Sequence, residues 1–433
     1  MSLFSALSLL IVVTALLGFL NHRFLGLPSA IGVTLLVLAT SIALTAASSF
    51  GLPARALAIE IVTRLNFPEL VLNGMLAFML FAGALKLAVD FDELVGQRWA
   101  VAVLATAGVL ASTFLVGGLT WAFGQVLGTR LGLTGCLLFG ALISPTDPIA
   151  VLAMLRTASA PKTIEVQMSG EALFNDGIGV VTFSVILGLM GAAATGATVD
   201  AGTIALLLAR QVLGSLALGL AAGGVVFLML SSVDNYHVEI LLTVGLATGL
   251  YGLATALHAS GPLAVVVAGL LVGRAGRARA MSPLTVQHLD TFWELVDEIL
   301  NVMLFVLVGF QVLVLVLTWR VLLMGLIMAC LVLLARFASV GATAAALRRV
   351  LTFQPHAVKI LTWGGLRGGL SLAMALSLGS EVQGRDTICA ITYVVAAFSI
   401  AVQGLTFGRL VKWAGANAGP GTSHRVRPPN PSL

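Results

Sequence analysis

Charge is what this sequence has least of. Asp, Glu, Lys and Arg together make up 9% of the 433 residues, whereas hydrophobic residues make up 59% and the mean hydropathy is +1.07. Soluble domains carry about a quarter charged residues, so the scarcity excludes a soluble globular protein. Apolar stretches near the ~20 residues that cross a hydrocarbon core recur from end to end. The sequence therefore predicts an all-α polytopic membrane protein without a separate soluble domain.

Cysteine is also scarce. Cys136, Cys330 and Cys389 lie in apolar segments and lack the paired spacing of disulfide frameworks or zinc sites. We expect small core residues, and neither a disulfide, a metal cluster nor a cofactor. The net charge of +5 does not indicate a nucleic-acid partner, because in a membrane protein the location of positive charges matters more than their sum.

The hydropathy pattern predicts about thirteen transmembrane helices. They are placed at 3–20, 29–47, 69–88, 99–126, 134–155, 167–195, 203–230, 237–256, 260–273, 298–318, 321–347, 357–379 and 387–408. We interpret residues 1–412 as one transmembrane domain of two inverted six-helix repeats, about 1–195 and 237–412, with a linker helix at 203–230. Residues 413–433 are rich in Gly, Pro and Ser and predict a short disordered cytoplasmic tail.

The positive charges predict an orientation. With the N-terminus outside, fifteen of the 23 Lys and Arg residues fall in inner loops and the C-terminal tail, and five fall outside. Positive residues concentrate in cytoplasmic loops, so the C-terminus is predicted to be cytoplasmic. We expect the protein in a bacterial inner membrane.

The fifth span carries an acid beside two prolines, in "ALISPTDPIAVLAML". Pro145 and Pro148 have no amide hydrogen and disfavour helix at the preceding residue, so the helix should be broken around Thr146 and Asp147. Broken helices at membrane depth occur where they are buried in protein or line a wet cavity, and they offer free carbonyls to an ion. The alternative is a simple proline kink.

The twelfth span carries an arginine among four glycines, in "ILTWGGLRGGLSLAMAL". The glycines weaken the helix around Arg367. Small-residue helix packing is the alternative, but it explains the glycines and not the arginine. Under the repeat scheme the fifth and twelfth spans are counterparts, and interrupted helices at matching positions indicate a transporter's binding site.

The sixth span contains "GEALFNDGIGVV". Glu171 and Asn175 share one helix face, whereas Asp176 points about 100° away, so Glu171 can face an arginine while Asp176 faces the break. Arg336 in the eleventh span is a second deep cation. Three intramembrane acids (Asp147, Glu171, Asp176) thus face two arginines. The surplus negative charge needs either a bound cation or a proton, but not both, and this is the property that an exchanger of the two ions requires.

These residues resemble the cation/proton antiporters of the sodium/hydrogen exchanger type, in the branch with an Asn-Asp pair on the ion-binding helix. The motifs are "SPTDPIAV" (Ser144 to Val151), "GEALFNDGIGVV" (Gly170 to Val181) and "WGGLRGGLSLAMAL" (Trp363 to Leu376), in the family's order. The resemblance implies two inverted repeats with unwound crossing helices. It also implies a homodimer and electroneutral one-for-one exchange by alternating access.

The resemblance further implies roles for single residues. Asp176 would bind the cation and the proton in turn, with Thr146 and Asp147 shaping the site. Glu171 and Asn175 would belong to the same polar cluster, with Arg367 as the partner of Glu171 and Arg336 as a stabilising charge. Relatives often have Ser after the Glu of the "GE" motif, and here the residue is Ala172. That departure leaves the cation preference open.

We therefore predict a secondary transporter, and not an enzyme, that exchanges a monovalent cation for H⁺. The cation is expected to be Na⁺, with K⁺ or Li⁺ as alternatives, and the other partners are membrane lipid and a second copy of the chain. A passive cation channel is a rival reading, because acids in spans also line pores. An intramembrane aspartic protease with Asp147 and Asp176 as its dyad fits poorly beside two deep arginines.

Overall fold

The computed structural model describes residues 2–50, 54–126, 131–147, 149–157, 160–194, 200–349, 353–354 and 356–417. These residues are almost entirely helical, and no β-strand occurs among them. The predicted all-α class is confirmed.

Eleven helices within this part of the chain are long and apolar enough to cross a membrane. Their bounds are Leu3–Leu25, Ser29–Ser48, Phe67–Gly96, Arg98–Gln125, Lys162–Ala192, Gly202–Leu230, Tyr236–Ala256, Gly261–Arg279, Pro283–Leu313, Trp319–Leu347 and Arg385–Gly415. Side-chain oxygens cap several of these helices, as when Ser260 accepts from the Leu263 amide and Thr318 from the Val321 amide. The integral-membrane character is confirmed.

The fifth and twelfth predicted spans are each two short helices. The fifth consists of Leu133–Ile143 and Ile149–Thr157, and the twelfth of Ala357–Trp363 and Gly369–Leu376. Both interruptions lie where the prolines and glycines place them. The two-repeat relationship and the exact count of thirteen stay predictions.

The helices pack in two groups, which we call the bundle and the panel. The bundle contains spans four, five, six, eleven, twelve and thirteen, and both broken helices lie in it. The panel contains the other spans, with Gly261–Leu271 packed between Ala201–Leu230, Tyr236–Ala256 and Leu76–Leu87. The sixth span, the continuous helix Lys162–Ala194, contacts both groups. We call it the site helix.

Two sequence expectations are wrong in detail. The last helix runs from Leu405 to Asn417, so the tail predicted to be disordered from 413 begins as helix; the rest of it, 418–433, lies outside the described residues. Cys330, expected in the core, is exposed, whereas Cys136 and Cys389 are buried.

Candidate functional site

The fifth-span break is held open by the site helix. Helix Leu133–Ile143 ends before Pro145, and Thr146 and Asp147 have no helical backbone. Asn175 of the site helix donates from Nδ2 to Thr146 Oγ1 at 2.8 Å, and its Oδ1 accepts from the Thr146 amide at 3.4 Å. The Asn175 side chain thus gives the Thr146 amide an acceptor at the point where the helix is interrupted. Asp176 was expected to face this break and does line the same cavity as Thr146 and Asp147, whereas the direct contact of Asn175 with Thr146 was not predicted.

The two breaks cross and satisfy each other's backbone. The Asp147 amide donates to the Leu366 carbonyl at 2.8 Å. Arg367 donates from Nη1 to the carbonyl of Ser144 and, at 2.9 Å, to that of Pro145. These carbonyls lie at the break predicted from the prolines, and an arginine from the other broken helix meets them. The crossing therefore forms one unit.

Glycine lets the two breaks approach this closely. A Cβ on Gly368 would overlap the Asp147 carboxylate, and one on Gly365 would lie 2.9 Å from Arg336 Nε. The missing side chains thus make room for the charged groups. Close packing of small residues was the alternative explanation for the four glycines around Arg367. It is present as well, and the element packed against Gly365 and Gly368 is the broken fifth span.

The partner of Glu171 is Arg336, which corrects the pairing with Arg367 that the family resemblance implied. Arg336 reaches both carboxylate oxygens, with 2.8 Å between Nη2 and Oε2, and Nη2 also donates to the Leu361 carbonyl at 3.3 Å. All of this is buried: Glu171 is 1% and Arg336 4% exposed. Arg367, 2% exposed, instead stabilises the carbonyls of the fifth-span break. The two buried arginines therefore have different partners: Arg336 pairs with Glu171, and Arg367 binds backbone carbonyls.

Asp176 lines a cavity of about 380 Å³ between the bundle and the panel. Thr146, Asp147 and Gly368 line the same cavity, so the structure brings the predicted site residues together at one wall. Ala172, one turn before Asp176 on the site helix, also faces it. Glu171 and Asn175 lie behind this wall, in the polar interior of the bundle.

The cavity runs toward the ends of the helices that carry Lys86, Asp90 and Arg156. There Lys162 pairs with Asp90 at 2.7 Å, and Arg156 pairs with Glu165 at 2.7 Å. Arg156 and Lys162 are about half exposed, so this end of the cavity reaches the surface. By the distribution of positive charge, it is the end predicted to be cytoplasmic.

Sequence reasoning missed an acidic stripe on the opposite wall. Glu294, Asp297 and Glu298 line the cavity from the helix Pro283–Phe310 of the panel. Asn301 donates to Asp297 Oδ1 at 2.8 Å, and Ser29 donates to Glu298 Oε1 at 2.5 Å. The spacing of three and four residues was the available signal, because such positions share a helix face. Placing the start of the tenth span at 298 had left Glu294 and Asp297 outside the span.

The chemistry of the site follows from its oxygen atoms. Asp147, Asp176 and Thr146 line the cavity near a backbone that is not helical. Oxygen ligands suit hard cations, and a carboxylate can hold a proton instead. The wall can therefore take either a metal cation or a proton from a water-accessible cavity.

Three comparisons with known proteins bear on this architecture. The family model "Sodium/hydrogen exchanger, transmembrane" matches residues 9–413. The Na⁺/H⁺ antiporter NhaP of Pseudomonas aeruginosa is 42% identical over 409 residues, which is 93% of this chain and 95% of that protein. The Na⁺/H⁺ antiporter NhaH of Halobacillus dabanensis is 32% identical over 354 residues, 81% of this chain and 84% of that protein.

The fold has a counterpart among solved structures. The sodium proton antiporter MjNhaP1 from Methanocaldococcus jannaschii, solved at pH 8, superposes with a TM-score of 0.63 at 19% identity. The match covers 90% of this chain and 98% of that one. At this identity the likeness establishes the fold alone.

Proposed function

The chain belongs to the sodium/hydrogen exchanger family, and from that premise we propose that it exchanges Na⁺ for H⁺ across a membrane as a secondary antiporter. The observation that carries the proposal is the crossing of two interrupted spans beside a cavity that holds Asp147 and Asp176. Discontinuous helices at the bilayer midplane are the sites where secondary transporters bind substrate and coupling ion.

Asp176 is the carboxylate for which the cation and the proton compete. It lies on the continuous site helix, so its position does not depend on the broken segments. Thr146 and Asp147 complete an oxygen-rich wall, and Asn175 holds Thr146 in place through the 2.8 Å hydrogen bond. Glu171 and Arg336 form a pair that is neutral as a unit and support the site without binding the ion.

The charge balance supports electroneutral exchange. With Glu171 neutralised by Arg336, the bundle side of the site contains Asp147, Asp176 and Arg367, which sum to one negative charge without the acidic stripe on the panel. One Na⁺ or one H⁺ neutralises that charge. A site in which either ion gives the same total exchanges them one for one, and membrane potential does no net work on the cycle.

The division into bundle and panel supports alternating access. The crossing helices lie in the bundle, and the acidic stripe of Glu294, Asp297 and Glu298 lies on the panel, with the cavity between them. Movement of one group against the other would close this cavity and open the opposite side. We propose that the state described here opens to the cytoplasm of a bacterial cell, and that two copies form a homodimer.

The test is Na⁺-driven proton flux in proteoliposomes. Asp176→Asn is expected to abolish exchange, because the amide cannot carry a proton or a negative charge, while the protein stays folded. Asp386→Asn is the matched control: the side chain of Asp386 is 95% exposed and lies outside the cavity lining. Full exchange by Asp176→Asn would overturn the proposal.

The same vesicles separate the rivals. Measuring flux with Na⁺, Li⁺ and K⁺, each with and without an imposed potential, identifies the cation and the stoichiometry. Cation flux without coupled proton movement would instead indicate a channel.

A further inference from the structure

A second cavity lies on the outside of the bundle. It shares no lining residue with the cavity that contains Asp176. It is a groove of about 400 Å³ between the eleventh, twelfth and thirteenth spans. Its lining residues are Phe337, Lys359, Thr362, Trp363, Thr406 and Leu410. Phe337 is 53% exposed in the middle of a span, so the groove opens toward the lipid.

The walls of the groove are apolar and firmly held. Trp363 donates from Nε1 to Thr406 Oγ1 at 2.9 Å, which joins the twelfth span to the thirteenth. The Trp363 carbonyl accepts from Gln403 Nε2 at 2.9 Å. Because both polar ends of Trp363 are satisfied, its ring is left to pack against an apolar occupant.

Two polar groups lie along one side of the groove. Lys359 is exposed, and its ammonium lies 4.9 Å from the ring centre of Trp413. Thr362, three residues deeper on the same helix face, is 8% exposed, and its hydroxyl is buried without a partner among the described residues. Lys359 is therefore the polar group that the groove presents to an occupant, because the Thr362 hydroxyl has no accessible surface.

The charge around the groove has one sign. The sequence has no Asp or Glu from 319 to 380 or from 387 to 433, which covers the three spans that form the groove except for Asp386 at the opposite end of the thirteenth. Exposed cations lie at the same end of these spans as Lys359: Arg348, Arg349, Arg409 and Lys412. An anion is therefore favoured at the mouth of the groove.

We propose that this groove binds one anionic phospholipid, with an acyl chain between Phe337, Trp363 and Leu410 and the phosphate at Lys359. Basic pockets between transmembrane helices bind anionic headgroups by this combination of charge and apolar contact. The occupied groove adjoins Trp363, the last helical residue before the twelfth-span break.

The experiment is native mass spectrometry of the purified full-length protein, titrated separately with phosphatidylglycerol and phosphatidylcholine. The wild type is expected to bind one phosphatidylglycerol more tightly than phosphatidylcholine. Lys359→Gln should weaken phosphatidylglycerol binding about fivefold, the effect of one basic residue near an anionic surface, and leave phosphatidylcholine unchanged.

Lys412→Gln is the matched control, because Lys412 is an exposed cation at the same end but does not line the groove. Leu410→Trp fills the groove and should remove the tight site. Retained Na⁺/H⁺ exchange shows that each variant is folded. Equal affinity for the two lipids in the wild type, or equal phosphatidylglycerol affinity in Lys359→Gln and Lys412→Gln, would overturn the proposal, as would a second protein copy covering the groove.

Discussion

Glu171 and Arg336, 165 positions apart in the chain, form a two-point ion pair in the interior of the bundle. The pair joins the site helix to the eleventh span, and Arg336 also donates to the Leu361 carbonyl of the twelfth. Three helices that surround the crossing are thereby fixed relative to one another. Arg367, the other deep arginine, is free of this task and stabilises the carbonyls of Ser144 and Pro145.

The first prediction concerns this ion pair. Glu171→Gln is expected to destabilise the protein by about 3–5 kcal/mol, because it leaves the Arg336 charge buried without its partner. The double change Glu171→Gln with Arg336→Met should recover much of that loss. Thermal unfolding of the detergent-solubilised variants measures the coupling. Stronger coupling of Glu171 to Arg367 than to Arg336, in the equivalent double-mutant cycle, would contradict the pairing.

The second prediction concerns the approach of the two breaks. Gly368→Ala places a methyl group against the Asp147 carboxylate and should cost about 1–3 kcal/mol through overpacking. Exchange should fall with it, because Asp147 must move. Gly341→Ala is the control, since a Cβ there meets nothing within 4 Å. The unfolding temperature reports the loss of stability, and the exchange rate reports the loss of transport. If Gly368→Ala and Gly341→Ala have the same unfolding temperature and the same exchange rate, the close approach of Gly368 to Asp147 contributes to neither.

The third prediction concerns Ala172, which faces the cavity one turn from Asp176. Ala172→Ser adds an oxygen to the wall that is proposed to bind the cation. The apparent KM for Na⁺ is expected to fall about fivefold, the equivalent of about 1 kcal/mol for one added polar contact. Ala345→Ser, on an exposed face of the eleventh span, is the control. A KM that does not respond would mean that residue 172 is too far from the bound ion.

The fourth prediction concerns pH. If Na⁺ and H⁺ compete for Asp176, each protonated carboxylate is unavailable to Na⁺, so acidification raises the apparent KM. In the acidic limit the rise approaches about tenfold per pH unit, and the pH dependence of the exchange rate should disappear as Na⁺ saturates. Exchange measured across a grid of pH and Na⁺ concentration checks this. A constant KM with a falling maximal rate on acidification would indicate a proton site separate from the cation site.

Much of the site could be predicted from the chain alone. The prolines at 145 and 148 remove helical hydrogen bonds, and glycines around Arg367 weaken the second helix; both effects are local, and both interruptions occur where they were expected. Buried carboxylates are costly at any position in a membrane, so Asp147 and Asp176 stood out from composition and spacing.

The side chains that these charged groups contact could not be predicted from the sequence. Two arginines could each satisfy one glutamate, and helical periodicity gives the face of a residue but not the neighbour that the face meets. Only the packing of the eleventh span against the site helix places Arg336 on Glu171 and leaves Arg367 to the fifth-span carbonyls. The acidic stripe at Glu294, Asp297 and Glu298 was hidden for a similar reason, because its importance comes from the cavity across which it faces Asp176.

By itself, the sequence determined the membrane, the helices and the positions where two of them break, because hydropathy and backbone sterics act within a few residues of the chain. The tertiary structure decided which charges meet, how glycines admit them, and where water reaches the site. Those outcomes depend on contacts between residues far apart in the chain, and no local pattern records them.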